Sequence, residues 1–203
     1  RFESRGLGDV YKRQEEQLRF AQRFGELEIH PFLPPNTKTP ELVRFEKNAN
    51  AAGYENQWHH DVTWRETPSQ GAILRAIEIP PIGGDTLFVD ANAAYEGLTQ
   101  EMKDEIDSLN AVHDFLRAFG RQVPKEKLAE MREMYPLVKH PVVINHHQTG
   151  KPLLYVNRIF VNGIEGYDEK EGFELIDALC REFEVLEYSC RFKWEKNSIA
   201  LSL

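Results

Sequence analysis

The chain has 203 residues and a formal net charge of −8, with 25 Lys and Arg against 33 Asp and Glu. This length is enough for one domain with a hydrophobic core, and the acidic balance argues against a nucleic-acid partner, because phosphate binding requires a basic surface. No apolar run approaches the roughly 20 residues of a membrane-spanning helix, so no membrane partner is expected. The two cysteines, Cys180 and Cys190, are too few for a disulfide framework, and they indicate reduced thiols in a cytoplasmic protein.

The two ends of the chain differ from the rest. Residues 1–14 show neither helical nor strand periodicity and resemble the translated read-through of a sequencing adapter. We expect this segment to be non-native, with a disordered native tail as the alternative, and we expect residues 201–203 to be a similar foreign end. The native domain is then predicted to span residues 15–200.

Predicted helices and strands alternate along this domain. Glu15–Leu27 is predicted to be an amphipathic helix, and Asp90 and Thr99 are predicted to cap two helices that end at residues 98 and 109. The other predicted helices are Lys125–Met134 and Glu169–Phe183. The predicted strands are Leu42–Phe45, Gln57–Trp64, Ala72–Ile79, Thr86–Val89, Ala111–Phe115, Val142–Asn145, Leu153–Val156 and Leu186–Phe192. Strands interrupted by helical segments indicate an α+β protein built on a β-barrel or jelly roll.

The segment most informative about chemistry reads WHHDVT, at residues 58–63. On a strand, His59 and Asp61 would point to the same face, with Cα atoms roughly 6.5–7 Å apart, while His60 would point away. Together with a distant histidine, such a pair forms the two-His, one-carboxylate triad of iron(II) oxygenases. The spacing alone is weak evidence, because roughly 0.3 His-x-Asp triplets are expected by chance in this composition, and the triplet alone favours an ordinary surface His–Asp pair.

Wider context favours the metal site, because blocks of sequence along the whole chain resemble the taurine dioxygenase family. The blocks are AQRFGEL (21–27), IHP (29–31), WHHDVT (58–63), ETP (66–68), GAIL (71–74), GGDTL (83–87), AAYEGL (93–98), HDF (113–115), HPVV (140–143) and YVN (155–157). They occur in the order that the family has.

The resemblance implies a double-stranded β-helix (a jelly roll) with helical insertions. It also implies an Fe(II)- and 2-oxoglutarate-dependent dioxygenase that consumes O2 and releases succinate and CO2. His59 and Asp61 would be two iron ligands, and the Thr86 hydroxyl would bind the distal carboxylate of 2-oxoglutarate. Thr86 follows two glycines at a strand start, where a ligand can approach closely, although the position also suits an ordinary strand residue.

The substrate implied by the resemblance is a small anionic organic molecule, whose anion would contact His30. Two positions depart from the family's taurine enzyme, since Glu55 replaces an asparagine and Leu33 a tyrosine. A carboxylate close to a sulfonate repels it, so taurine is disfavoured, and another sulfonate, a sulfate ester or a carboxylate is open. The apolar walls implied for the pocket are Val62, Phe119 and Phe160. These three residues and His30 equally suit structural roles.

The family's third iron ligand and its anion-binding arginines lie in a segment that has no counterpart in these 203 residues. We therefore expect the chain to lack the last strands of the barrel and to be inactive by itself, within a full-length parent that is active. Three alternatives stay open: a non-catalytic cupin-like binding module, a structural or interaction domain, and a zinc hydrolase, which the absence of an HExxH motif disfavours. Whether the protein forms homo-oligomers is also left open.

Overall fold

The computed structural model describes residues 7–30, 38–46 and 56–202, with side chains from residue 13 onward. The chain divides into two compact units, Arg1–Asn56 and Gln57–Leu203. No helix in the described part is long and apolar enough to cross a membrane.

The first unit contains helix α1, Leu7–Ala21. The predicted helix Glu15–Leu27 overlaps α1 but begins and ends too late. The chain tightens at the end of α1, because the N–H groups of Arg23 and Phe24 bond to carbonyls three residues back, which ends the α-helical pattern. The predicted strand at residues 42–45 is wrong, since residues 42–46 have no regular structure. Helix α1 includes residues 7–14, and the non-native origin of residues 1–14 stays a prediction.

The second unit combines helices and short strands, as the sequence predicts. Its helices are α2 (Ala91–Gly97), α3 (Gln100–Ile106), α4 (Phe115–Phe119), α5 (Leu128–Met134) and α6 (Glu169–Glu182). Its strands are β1 (Ala72–Arg75), β2 (Thr86–Val89), β3 (Asn110–His113), β4 (Val138–Pro141), β5 (Val143–Asn145), β6 (Pro152–Leu154), β7 (Val161–Ile164), β8 (Ser189–Phe192) and β9 (Ile199–Ser202). Short 3₁₀ turns at Lys125–Lys127 and Leu186–Tyr188 precede α5 and β8.

The described strands pair in an antiparallel manner throughout. β3 lies between β4 and β7, and the other pairs are β1 with β9, β2 with β8, and β5 with β6. The β2–β8 register aligns Thr86 with Phe192. Gly83 and Gly84 both have φ +78°, a conformation that side chains disfavour, and they turn the chain into β2.

Local signals in the sequence predict several elements correctly. The Asp90 carboxylate accepts hydrogen bonds from the backbone at the start of α2, and the Thr99 hydroxyl does so at the start of α3. β1 is shorter than the predicted strand Ala72–Ile79. Its backbone pairing ends at Ala76, which bonds to residues just before β9, and two prolines follow at positions 80 and 81. Helix α4 and strands β4, β7 and β9 carry no periodicity strong enough to predict them.

Two hydrophobic clusters form the core of the second unit. In the main cluster, α6 lies against β7 and buries one face. The buried residues of that face are Gly172, Leu175, Ile176, Leu179 and Cys180. The second cluster, here called the aromatic cluster, is centred on the buried residues Trp64, Phe115 and Phe160. Cys180 and the exposed Cys190 are both free thiols, as the sequence indicates.

Candidate functional site

The WHHDVT segment is a turn, and the prediction of a strand over Gln57–Trp64 is wrong. Residues 58–60 are irregular and residues 61–64 form the turn. The extended alternation fails because Val62 has φ 48°, in the left-handed region that a β-branched residue rarely adopts. The turn nevertheless brings the two candidate ligands together, with 3.3 Å between His59 Nε2 and Asp61 Oδ1.

The hydrogen bonding of His59 suits a metal ligand. Its Nδ1 lies 2.8 Å from the Gln57 carbonyl oxygen, which can only accept, so Nδ1 carries the proton. In the neutral imidazole, Nε2 then presents a lone pair toward the Asp61 carboxylate. A carbonyl that fixes the tautomer in this way is the usual outer partner of a metal-bound histidine.

The donor set also fits a divalent cation on geometric grounds. Two metal–ligand bonds of roughly 2.1 Å at a right angle place the donor atoms roughly 3 Å apart. The observed 3.3 Å between His59 and Asp61 is close to this value, and a cation between the two atoms removes the repulsion of their lone pairs. Within residues 7–30, 38–46 and 56–202, no group of three or more His, Cys, Asp or Glu forms a larger metal cluster.

Two tryptophans fix the ends of the segment. Trp58 packs against the main cluster. Trp64 is 2% exposed and contacts Phe115 and Tyr135 edge-on, with ring centroids 5.1 and 4.9 Å apart. The exposed His59–Asp61 pair is thereby held between a partly buried and a fully buried tryptophan, which pack on different clusters.

A buried polar network lies beneath the turn. Thr63 is fully buried, and its hydroxyl oxygen lies 2.9 Å from His113 Nδ1 and 3.4 Å from Asn157 Nδ2. His140 Nε2 donates to the Arg65 carbonyl oxygen at 2.9 Å. The sequence blocks HDF, HPVV and YVN contain these three partners, but the spacing in the sequence gave no sign that they meet at the turn.

Two buried imidazoles beneath the turn, those of His113 and His60, are held neutral. Burial, and to a smaller extent the imidazoles of His140 and His60, lower the pKa of His113 to about 3. Burial also lowers the pKa of His60 to about 4. The His60 ring points into the core, against Tyr155 and Phe183. His60 Nδ1 and His113 Nε2 are buried and have no hydrogen-bond partner among the described residues.

Thr86 lies at the start of β2, as predicted, and its hydroxyl is oriented by Trp194. The indole Nε1–H of Trp194 donates to Thr86 Oγ1 at 2.8 Å. Because a hydroxyl has two lone pairs and one proton, this bond leaves the proton available to donate to an anionic oxygen. The Trp194 ring is fixed in turn by Phe192, with centroids 4.7 Å apart. Sequence reasoning missed Trp194, since only the pairing of distant strands brings it to Thr86.

The predicted substrate residues fall into separate places. Val62 and Phe119 are partly buried and pack on the aromatic cluster, to which Phe160 belongs, and the Phe119 and Phe160 rings lie 6.1 Å apart. His30 is half-buried and belongs to the first unit. Glu55 and Leu33 lie outside the described residues.

Two curated proteins are similar to this chain over nearly its whole length. An alkylsulfatase from Acinetobacter baylyi is 30% identical over 202 residues, covering 96% of this chain and 61% of the relative. An alpha-ketoglutarate-dependent sulfate ester dioxygenase from Pseudomonas putida is also 30% identical over 202 residues, covering 96% of this chain and 66% of the relative. The chain therefore spans between 61% and 66% of the length of these curated relatives.

A solved structure and a family model extend the comparison. The crystal structure of a taurine dioxygenase from Burkholderia xenovorans matches with a TM-score of 0.74 and 31% identity, over 93% of this chain and 62% of that one. The model of the taurine catabolism dioxygenase TauD, TfdA family matches residues 5–202. Because this match covers nearly the whole sequence, the chain belongs to the TauD/TfdA family of taurine catabolism dioxygenases.

Proposed function

We propose that the protein carrying this chain is an Fe(II)- and 2-oxoglutarate-dependent dioxygenase that hydroxylates a small anionic organic substrate. The observation that carries the proposal is the His59–Asp61 pair, with donor atoms 3.3 Å apart and the imidazole tautomer fixed by the Gln57 carbonyl. The dioxygenases among the relatives and solved structures support the same assignment. We infer that the fold is a double-stranded β-helix spanning residues 15–200, with further ligands outside the described residues.

The roles of the chain's own residues follow from their chemistry. His59 and Asp61 would hold Fe(II). When bound, Fe(II) would supply the centre where O2 is activated as 2-oxoglutarate is consumed. The Thr86 hydroxyl, oriented by Trp194, would donate its proton to the distal carboxylate of 2-oxoglutarate. In the balanced reaction, one oxygen atom of O2 enters a C–H bond of the substrate, and the other enters succinate as CO2 is released.

We propose a sulfate ester, a sulfonate or a carboxylate as the substrate. Val62, Phe119 and Phe160 would contact its apolar body, since all three belong to or pack on the aromatic cluster. Taurine is disfavoured by the carboxylate of Glu55, and the two relatives named for sulfate ester chemistry favour an alkyl sulfate.

The test is turnover by the protein that carries this chain, supplied with Fe(II), 2-oxoglutarate, O2 and a panel of alkyl sulfates, sulfonates and phenoxyacetates. Succinate formation is expected to rise above its rate without substrate when an alkyl sulfate is added, and to rise less with taurine. Asp61→Ala should abolish the rise, whereas Asp104→Ala, an exposed position on α3, should not. The 203-residue chain by itself should be inactive, because the triad needs three ligands.

Turnover that is independent of Fe(II), or that persists in Asp61→Ala, would contradict the proposal. So would the absence of 2-oxoglutarate consumption with every member of the panel, which would leave a non-catalytic binding module as the function. Substantial turnover by the 203-residue chain alone would show that the proposed further ligands are not needed.

Trp194→Phe is expected to weaken 2-oxoglutarate binding roughly three- to tenfold, the range for one hydrogen bond. Phenylalanine keeps an aromatic ring against Phe192 but removes the donor that orients the Thr86 hydroxyl. The measurement is the KM for 2-oxoglutarate, with the KM for the organic substrate as the internal control. Equal changes in both constants would mean that Trp194 acts on the whole site and not on Thr86.

A further inference from the structure

The turn that presents Asp61 is strained and must be held in place by its surroundings. Val62 has φ 48°, and a β-branched residue adopts this conformation only when neighbouring contacts outweigh its cost. The Arg65 N–H closes the turn by donating to the Val62 carbonyl at 3.0 Å. The residues that hold the turn therefore determine where the Asp61 carboxylate lies.

Thr63 provides the buried contact that can do this. It is fully buried, and its hydroxyl is bracketed by His113 Nδ1 at 2.9 Å and Asn157 Nδ2 at 3.4 Å. Both partners are fully buried themselves. Thr63 follows Asp61 by two residues, so a fixed hydroxyl at Thr63 restricts the backbone of the ligand.

The orientation of Asn157 is set independently of Thr63. Its Oδ1 accepts hydrogen bonds from the backbone N–H groups of Ile159 at 3.1 Å and Phe160 at 2.8 Å. The amide nitrogen must then point the other way, toward Thr63. The donor that meets the threonine hydroxyl is thus built into the loop before β7 and does not depend on the turn.

His113 and His140 complete the support from two adjacent strands. They lie on β3 and β4, with ring centroids 5.0 Å apart. His113 contacts the Thr63 hydroxyl, and His140 donates to the Arg65 carbonyl oxygen. The turn is consequently anchored at two points, one within it and one at its end.

We propose that Thr63 is the positioning residue of the metal centre. Its buried hydroxyl, held by His113 and Asn157, keeps Val62 in the left-handed conformation and the Asp61 carboxylate beside His59. The inference rests on the proposed function in one respect, namely that His59 and Asp61 bind the metal. Without the hydroxyl, the turn relaxes toward conformations that valine prefers, and the carboxylate moves away from the imidazole.

The test compares Thr63→Val with Thr63→Ser in the 203-residue chain, because valine keeps the branched shape and serine keeps the hydroxyl. Mn²⁺ binding is measured by water proton relaxation, a probe suited to weak sites. Thr63→Val is expected to weaken binding roughly 10- to 100-fold, as removal of an outer partner of a ligand does, and Thr63→Ser is expected to stay near the parent value. Amide exchange of residues 61–66 should accelerate in Thr63→Val alone.

Two controls separate positioning from stability and from the metal assignment. Ile176→Val trims a side chain that is 1% exposed on α6, and it should lower stability without changing Mn²⁺ affinity. Asp61→Ala should remove Mn²⁺ binding.

Unchanged Mn²⁺ affinity or unchanged amide exchange in Thr63→Val would overturn the positioning role of Thr63. Mn²⁺ binding that survives Asp61→Ala would instead overturn the metal site of the proposed function, and with it the role of Thr63.

Discussion

Acidification from pH 7 to pH 4.5 is expected to lower the free energy of unfolding of the metal-free chain by about 2–3 kcal/mol through His113 alone. The folded chain holds the pKa of His113 at about 3, against an ordinary histidine pKa of 6.5. Between these values the unfolded chain binds a proton that the folded chain does not. The stabilising contribution is therefore complete above pH 6.5 and is lost progressively as the pH falls toward 3.

The groups that face His113 account for the direction of this effect. They are the imidazoles of His140 on β4 and His60 in the WHHDVT segment, the Tyr155 ring and the Thr63 hydroxyl. None of them is a carboxylate that would favour the imidazolium form. His60 is buried in the same way and shifts stability in the same direction.

Urea denaturation at several pH values, with a chelator present, measures the effect. His113→Asn removes the titrating group and should flatten the dependence on pH, although it lowers stability at pH 7. His147→Asn is the matched control, because His147 is exposed at the turn between β5 and β6. If the parent chain and His113→Asn lost stability equally between pH 7 and pH 4.5, His113 would not be the group responsible.

Arg132→Ala is expected to lower the free energy of unfolding by about 3 kcal/mol. Arg132 donates from both terminal nitrogens to the two carboxylate oxygens of Asp114, at 2.8 Å each. The Asp114 side chain is 7% exposed, and it also caps α4 by accepting from the Leu116 N–H. Removing the guanidinium leaves a buried carboxylate without its counter-charge, which costs far more than the loss of a surface pair.

Arg158→Ala is the matched control for that experiment. Arg158 makes two ion pairs, where Arg132 makes one, but its partners Asp177 and Glu184 have side chains that are 54% and 53% exposed. Water replaces the lost contacts there, and the expected cost is about 0–1 kcal/mol. Chemical denaturation of both variants at pH 7 and moderate salt compares them. Equal losses would show that the burial of Asp114 does not determine the strength of its pair.

Local chemistry explains which features could be predicted from the sequence. The caps of α2 and α3 and the strand Thr86–Val89 depend on neighbouring residues, and all were predicted correctly. The approach of His59 to Asp61 was predicted from strand geometry, yet the pair lies where the chain enters a turn, since residues 61–64 form the turn and Val62 adopts φ 48°. The left-handed conformation of a valine has no signature in the sequence.

The supporting contacts of the site could not be predicted because they join distant parts of the chain. Thr63 meets His113 across 50 residues and Asn157 across 94, and Trp194 meets Thr86 across 108. Helical and strand periodicities describe only neighbours within a few positions. The resemblance to a family located the blocks that contain most of these residues, but only the folded chain shows which of them touch.

The pairing of β2 with β8 has a consequence for the order in which the molecule folds. Every group that brackets Thr63 has been synthesised once the ribosome passes residue 157, whereas the donor to Thr86 is residue 194. At roughly 5–20 residues per second, seconds pass between the synthesis of Asn157 and that of Trp194. Strand pairs with such long separations close slowly. The contacts of Thr63 can therefore form while β2 is still unpaired, and the contact of Thr86 with Trp194 can form only afterwards.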